Sequence, residues 1–185
     1  MKAGDSLLQR WRVRKAAAHI RRGSRVLDIG CSDGALFRLL HGRIRTGIGI
    51  DPDAVPQDSA RFKYIKGSVP GALPATETFD CITLLAVLEH IEPKQQEVLA
   101  ERCVAMLRPG GRVICTVPSP AVDRLIHVGQ RIHVLDGMAA HEHYGFEPSQ
   151  TIRLFTQSGL ILHKSRRFQL GLNHLFVFAS PGLAT

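Results

Sequence analysis

Apolar and polar positions follow two rhythms along this chain. Short apolar runs bounded by Gly, Pro or Asp fall at Arg25–Ile29, Ile44–Ile50, Phe62–Lys66, Phe79–Leu85 and Arg112–Val117, and predict five buried strands. Between them the spacing turns helical. Ala35, Leu36, Leu39 and Leu40 share one helix face. Leu99, Cys103, Met106 and Leu107 mark a second helix, opening at Pro93 and ending at Pro109-Gly110-Gly111. Ser149–Ser158 reads as a third, stopped by Gly159. Leu160–Phe168 and Leu175–Ala179, joined by Gly171-Leu172-Asn173-His174, read as antiparallel strands closing a sheet edge. Strands alternating with helices predict an α/β fold. The expected form is a doubly wound sheet, mostly parallel with an antiparallel C-terminal strand, with helices on both faces.

Two segments stand outside that rhythm. Asp5 or Ser6 opens a predicted helix that runs to about Arg22 and stops at Gly23, with an apolar patch at Leu7, Leu8 and Trp11. Residues 118–148 hold Pro118, Pro120, Gly129, Gly137 and Gly145 with four of the nine histidines, and read as a lid or insertion. No internal repeat or low-complexity tract occurs. At 185 residues and 44% hydrophobic content, residues 1–185 are expected to form one domain.

The net charge of +8 is concentrated at one end. Residues 1–25 carry eight of the 24 Lys and Arg residues against one acid, Asp5. Such a field draws anionic partners such as phosphates, lipid headgroups or RNA, and equally suits a solvated helix face. The longest apolar stretch, Ile82–Leu88, is broken by Thr83 and falls far short of the roughly 20 residues of a membrane-spanning helix. The basic N-terminus has no apolar run behind it, so no secretory leader is expected. Cys31, Cys81, Cys103 and Cys115 form no CxxC pair and sit in or beside apolar segments. They read as reduced core thiols, and the expected location is cytoplasmic.

The most informative stretch is Asp28-Ile29-Gly30-Cys31-Ser32-Asp33-Gly34, a buried strand entering a glycine turn and then a helix. Glycine lets the chain bend sharply and lets a ligand approach the backbone. The following helix start offers outward amides, and ligands of open α/β sheets gather at this edge. The pattern is G-x-x-x-G rather than the G-x-G-x-x-G of a dinucleotide site. Asp28 and Asp33 would repel a pyrophosphate and suit a ligand with an ammonium or sulfonium. Asp51, at the end of the second strand, can accept hydrogen bonds from both ribose hydroxyls.

Four blocks, in order, resemble the class I S-adenosylmethionine-dependent methyltransferase family. They are Val26–Gly34, Gly47-Ile48-Gly49-Ile50-Asp51, Phe79–Ile91 with its Leu88-Glu89-His90, and Leu107-Arg108-Pro109-Gly110-Gly111. The resemblance covers residues 24 to about 118. It implies a Rossmann-like sheet and S-adenosyl-L-methionine as cofactor, and is closest to a small-molecule branch that includes quinone biosynthesis. It places Gly30, Cys31, Ser32, Asp33 and Gly34 around the cofactor's amino-acid portion, with Asp28 near its ammonium. Asp51 would bind the ribose, Pro52 would lie near the adenine, and Gly67, Ser68 and Val69 would line the adenine pocket. The family often has an acid where Ser68 stands. Leu85, Ala86 and His90 would lie over the methionine portion and the transferred methyl.

The sulfonium is an activated methyl donor, so the protein's task is alignment, with a base where the acceptor carries a proton. The catalytic candidates are His90, His141 and His143, with Tyr144 as a polar orienter. The His141-Glu142-His143 spacing has no further ligand set beside it, and no metal is expected. The expected activity is methyl transfer to a small-molecule or lipid- or sugar-linked acceptor, anionic ones included. Alternatives are an RNA methyltransferase using the basic N-terminal helix, a cofactor-binding protein without catalysis, and peripheral membrane contact through residues 1–25.

Overall fold

Seven strands hydrogen-bond into one sheet in the computed structural model, which describes residues 3–54, 58–74, 76–119 and 147–182. Helix α1 spans Ala3–Ala17, β1 Arg25–Ile29, α2 Ala35–Leu40, β2 Thr46–Asp51, β3 Phe62–Lys66 and β4 Phe79–Leu85. A single 3₁₀ turn, Leu88–His90, leads to α3, Pro93–Met106. Then follow β5 Leu107–Pro118, α4 Pro148–Gln157, β6 Ile161–Phe168 and β7 Asn173–Ala179. The strand order is β3-β2-β1-β4-β5-β7-β6. β1 to β5 pair in parallel, and β7 runs antiparallel between β5 and β6. This is the doubly wound sheet that the alternating pattern predicts.

Side chains alternate across the sheet and build two cores. Leu27 and Ile29 of β1 and Ile82 and Leu84 of β4 pack with Leu99 and Cys103 of α3 and Phe155 of α4. Val26 of β1 and Ile114 of β5 pack on the other side with Val13 and Ala16 of α1 and Leu36, Phe37 and Leu40 of α2. The two faces are therefore covered by α3 with α4 and by α1 with α2. All four cysteines are buried free thiols.

Several boundaries differ from the sequence pattern, each for a tertiary reason. Helix α1 ends at Ala17, not near Arg22. Ile20 drops into the core beside Leu40 and Ile44, and an Arg112 guanidinium takes the His19 carbonyl at 3.3 Å. The predicted patch of Leu7, Leu8 and Trp11 faces solvent, while the small residues Ala16 and Ala17 face inward with Val13. On α2, Leu39 is exposed and Phe37 takes the core position. Strand β2 begins at Thr46 rather than Ile44, because Ile44 is part of the turn packed under α2. Strand β5 begins at Leu107, with Pro109-Gly110-Gly111 bulged inside it rather than preceding it. Asp80 holds that bulge, accepting the Arg25 amide at 2.7 Å and pairing with Arg108 at 3.0 Å. The expected lid falls mostly on residues 120–146, outside the described residues.

The Phe37 ring is the wedge between α2 and the sheet. It stacks on Phe62 with centroids 5.2 Å apart and meets Tyr64 edge-on. Gly47 makes room for it, since a Cβ there would lie 2.6 Å from the Phe37 ring. Burial of a ring of this size predicts that Phe37→Ala costs about 3–5 kcal/mol of folding stability. Exposed Leu39→Ala is expected to cost less than about 1 kcal/mol. Urea unfolding of both variants checks this, and equal losses would contradict the observed orientation of α2.

Candidate active site

The carboxyl ends of β1, β2 and β4 meet where the strand order reverses, between β1 and β4. The turn after β1 is tied to β2 by the Gly30 and Cys31 amides, which donate to the Ile50 carbonyl at 2.8 and 3.3 Å. Gly30 has φ +74, and a Cβ there would overlap Val87. Both facts demand glycine, because Val87 packs where its side chain would begin.

Asp51 organises the rest. Its Oδ2 accepts the Ser32 amide at 2.9 Å and its Oδ1 accepts the Asp53 amide at 2.8 Å. Its carbonyl accepts the Gly67 amide at 3.1 Å. One residue thus gathers the loops that follow β1, β2 and β3. Each carboxylate oxygen keeps a further lone pair for a ligand.

These loops surround a cleft of about 510 Å³. Of the residues singled out in the sequence, Gly30, Ser32, Asp51, Pro52, Gly67, Ser68, Val69, Leu85, Ala86 and His90 line it together. Asp28 and Cys31 line a small adjoining pocket of about 30 Å³, which shares Gln9, Arg12, Gly30 and Leu85 with the cleft. Asp33 and Gly34 lie outside the lining of both. Gly34 (φ +73) makes room for Tyr64, whose hydroxyl a Cβ would meet at 2.5 Å. The idea that Asp33 offers its charge to a cationic ligand needs correction. Its carboxylate pairs with Arg38 and accepts Gln9 Nε2 at 3.0 Å, so that charge is already engaged. His141, His143 and Tyr144 lie outside the described residues.

The sequence pattern missed Gln9 and Arg12 of α1. They stand three residues apart on its inward side and bring an amide and a cation to the cleft. The available signal was their common helix face, masked by the surrounding basic residues. Val87, Ile91 and Leu99 also line the cleft and make part of its wall apolar.

Two buried carboxyls flank this site. Asp28 is pushed up to about 7 by burial, opposed by the Thr83 hydroxyl that donates to its Oδ1 at 2.6 Å, with Asp51 and Asp33 adding to the rise. Glu89 is likewise pushed up to about 7 by burial, against the pull of its own backbone amide and of Arg12. A second cleft of about 520 Å³ lies further along the same strand ends, past β5. Ser119, Ser149, Arg166, Arg167 and His174 line it. Among the described residues, no group of three or more His, Cys, Asp or Glu could hold a metal ion.

The model of the methyltransferase domain family matches residues 4–164. A ubiquinone biosynthesis O-methyltransferase of Schizosaccharomyces pombe, a mitochondrial protein, is 32% identical over 126 residues, covering 61% of this chain and 45% of that protein. The chain spans less than half the length of the first curated relatives it matches. Among solved structures, the 1,6-didemethyltoxoflavin-N1-methyltransferase of Burkholderia thailandensis, with bound 1,6-didemethyltoxoflavin and S-adenosylhomocysteine, superposes with a TM-score of 0.72 at 21% identity, over 96% of this chain and 81% of that one. The N-methyltransferase NodS of Bradyrhizobium japonicum, in complex with S-adenosyl-l-homocysteine, gives 0.67 at 18% identity, over 94% and 86%. At these identities the likeness is one of fold.

Burial of Asp28 has a consequence for the ligand-free protein. The unfolded chain loses this proton near pH ~4, while the folded protein keeps it up to about 7. The folded state therefore binds more protons between these values, and stability falls as pH rises through that window. Asp28 accounts for at most roughly 4 kcal/mol of that fall. Asp28→Asn should flatten the decline in thermal stability between pH 5 and 7.5, leaving the part due to Glu89. Thermal melts across this range check it, and an unchanged slope would contradict the assignment.

Proposed function

The chain belongs to the methyltransferase domain family, and on that premise we propose that it transfers a methyl group from S-adenosyl-L-methionine to a small-molecule acceptor. The observation that carries this reading is the Asp51-centred cleft. It joins a carboxylate with open acceptor positions, a glycine turn and a partly apolar wall at one sheet edge.

The chemistry of these groups suits the cofactor. Asp51 would accept the ribose hydroxyls on its remaining lone pairs. Pro52, Ile50, Val69 and Leu99 supply apolar surface for a flat base, and Ser68 a hydroxyl at its edge. Gly30, Leu85 and Ala86 would hold the amino-acid portion. Asp28 would face the ammonium from the adjoining pocket, and Arg12 and Gln9 would receive the carboxylate. Once bound, the cofactor would supply a methyl group already activated on a sulfonium.

The chain's own residues would then orient the acceptor and exclude water. His90 is the described side chain of the cleft able to take a proton from an acceptor hydroxyl or amine. Arg166 and Arg167 of the second cleft, with Glu147 also in its lining, would receive a charged or polar part of the acceptor. The four buried thiols support a reducing compartment. Arg12 turns into the cleft, which weakens the reading of the N-terminal helix as a phosphate track for RNA.

Titration calorimetry with S-adenosylmethionine and S-adenosylhomocysteine tests the cofactor assignment directly. Asp51→Ala should weaken binding by about 1.5–3 kcal/mol, the scale of charged hydrogen bonds. Unchanged affinity would remove Asp51 from the site. Near pH 7 a neighbouring ammonium should hold Asp28 ionised, so binding should release roughly half a proton. Titrations in buffers of different ionisation enthalpy read this number. Wild-type binding without proton release would place the ammonium elsewhere.

A further inference from the structure

We propose that the outward face of α1, together with the turn at Leu170, docks on the surface of an anionic lipid bilayer. The inference is independent of the reading of the cleft. Its ground is a face that the described residues leave open although its composition is partly apolar.

At 100° per residue, Leu7 and Trp11 form one line along the outer side of α1. Arg10 and Arg14 flank it on one side and Lys15 on the other. The opposite side of the helix carries Val13, Ala16 and Ala17 into the core. Leu7 is 67% exposed and Trp11 41%. No acidic residue occurs between Leu7 and Ala17.

A second element meets α1 from the far end of the sequence. Gln169, itself buried, donates from Nε2 to the Leu8 carbonyl at 3.1 Å. The next residue, Leu170, is 99% exposed. Gln169 and Leu170 both have left-handed backbones, with φ +52 and +56. Non-glycine residues adopt this conformation at a cost. Here the strained turn holds a leucine out in solvent beside α1.

On this outward face leucine and tryptophan stand beside arginine and lysine, residue types that suit a membrane interface. The cations complement anionic headgroups, and the apolar residues enter the acyl boundary. The other partners fit less well. RNA would be gripped by stacking aromatics, and Trp11 is the one aromatic side chain of α1. A second copy packed face to face would set Arg10, Arg14 and Lys15 against the same cations. Because Gln9 and Arg12 of the same helix line the cleft, a docked α1 would hold the cleft beside the bilayer.

Trp11 is the single tryptophan of the chain and reports on its own contact. The full chain is mixed with phosphatidylcholine vesicles and with vesicles carrying roughly a quarter phosphatidylglycerol. Expected is co-sedimentation with the anionic vesicles, a blue shift of Trp11 emission and quenching by brominated lipid. Arg10→Gln with Arg14→Gln should lower the affinity by roughly fivefold per residue. Leu7→Ser with Leu170→Ser should weaken binding and reduce the blue shift. All four positions are exposed, and urea unfolding confirms that the variants fold. No vesicle binding by the wild type, or binding without a Trp11 shift, overturns the proposal. So does equal binding to both vesicle types, or a Trp11 shift that appears on self-association without lipid. Retention on RNA but not on vesicles overturns it in favour of a polyanion site.

Discussion

The hydrogen bonds converging on Asp51 hold the ligand-facing edge of this protein together. The residue ends β2, and through its carboxylate and carbonyl it fastens the turn after β1, its own following turn and the loop after β3. Three loops that no helix or strand could align are thereby held in one arrangement. A carboxylate can do this because it accepts several bonds at once, and charged acceptors make the stronger ones. The same group lines the cleft and keeps acceptor positions beyond those bonds, so one side chain both fastens the loops and presents a carboxylate to the cleft.

Helix α1 is the second constraint. Its inward side is made of Val13, Ala16 and Ala17, small enough to bring the helix close to the sheet beside α2. That approach delivers Gln9 and Arg12 to the cleft. It also ends the helix early, because Ile20 gains more by entering the core than by continuing an exposed turn. The site is therefore closed on one side by a segment that stands apart from the alternating strands and helices of the sheet.

Asp28 and Glu89 are costly residues to bury; Asp28 lines the pocket adjoining the cleft, and Glu89 precedes His90 of the cleft in sequence. Burial holds each near the point where it changes charge at ordinary pH. For Asp28 the cost is offset in part by Thr83, which reaches across from β4. Such a carboxyl responds to a cation placed beside it, which ties the electrostatics of the empty fold to those of ligand binding.

Strands β1, β3 and β4 run between the same residues that the apolar runs mark, and the glycine turn and Asp51 stand where the motif spacing puts them. These features were legible because they arise within a few residues. A buried strand needs a continuous apolar run, and a turn with φ +74 at Gly30 needs glycine. The tertiary structure alone decided that Leu7 and Trp11 face outward while two alanines face in. It also engaged Asp33 with Arg38 and Gln9, brought Phe37 rather than Leu39 to the core, and turned Arg12 into the cleft. Each of these depends on a partner distant in the chain, such as the Gly47 that makes room for Phe37. Hydrophobic periodicity records which residues are apolar. Which of them is buried is settled by the shape of the surface that the helix meets.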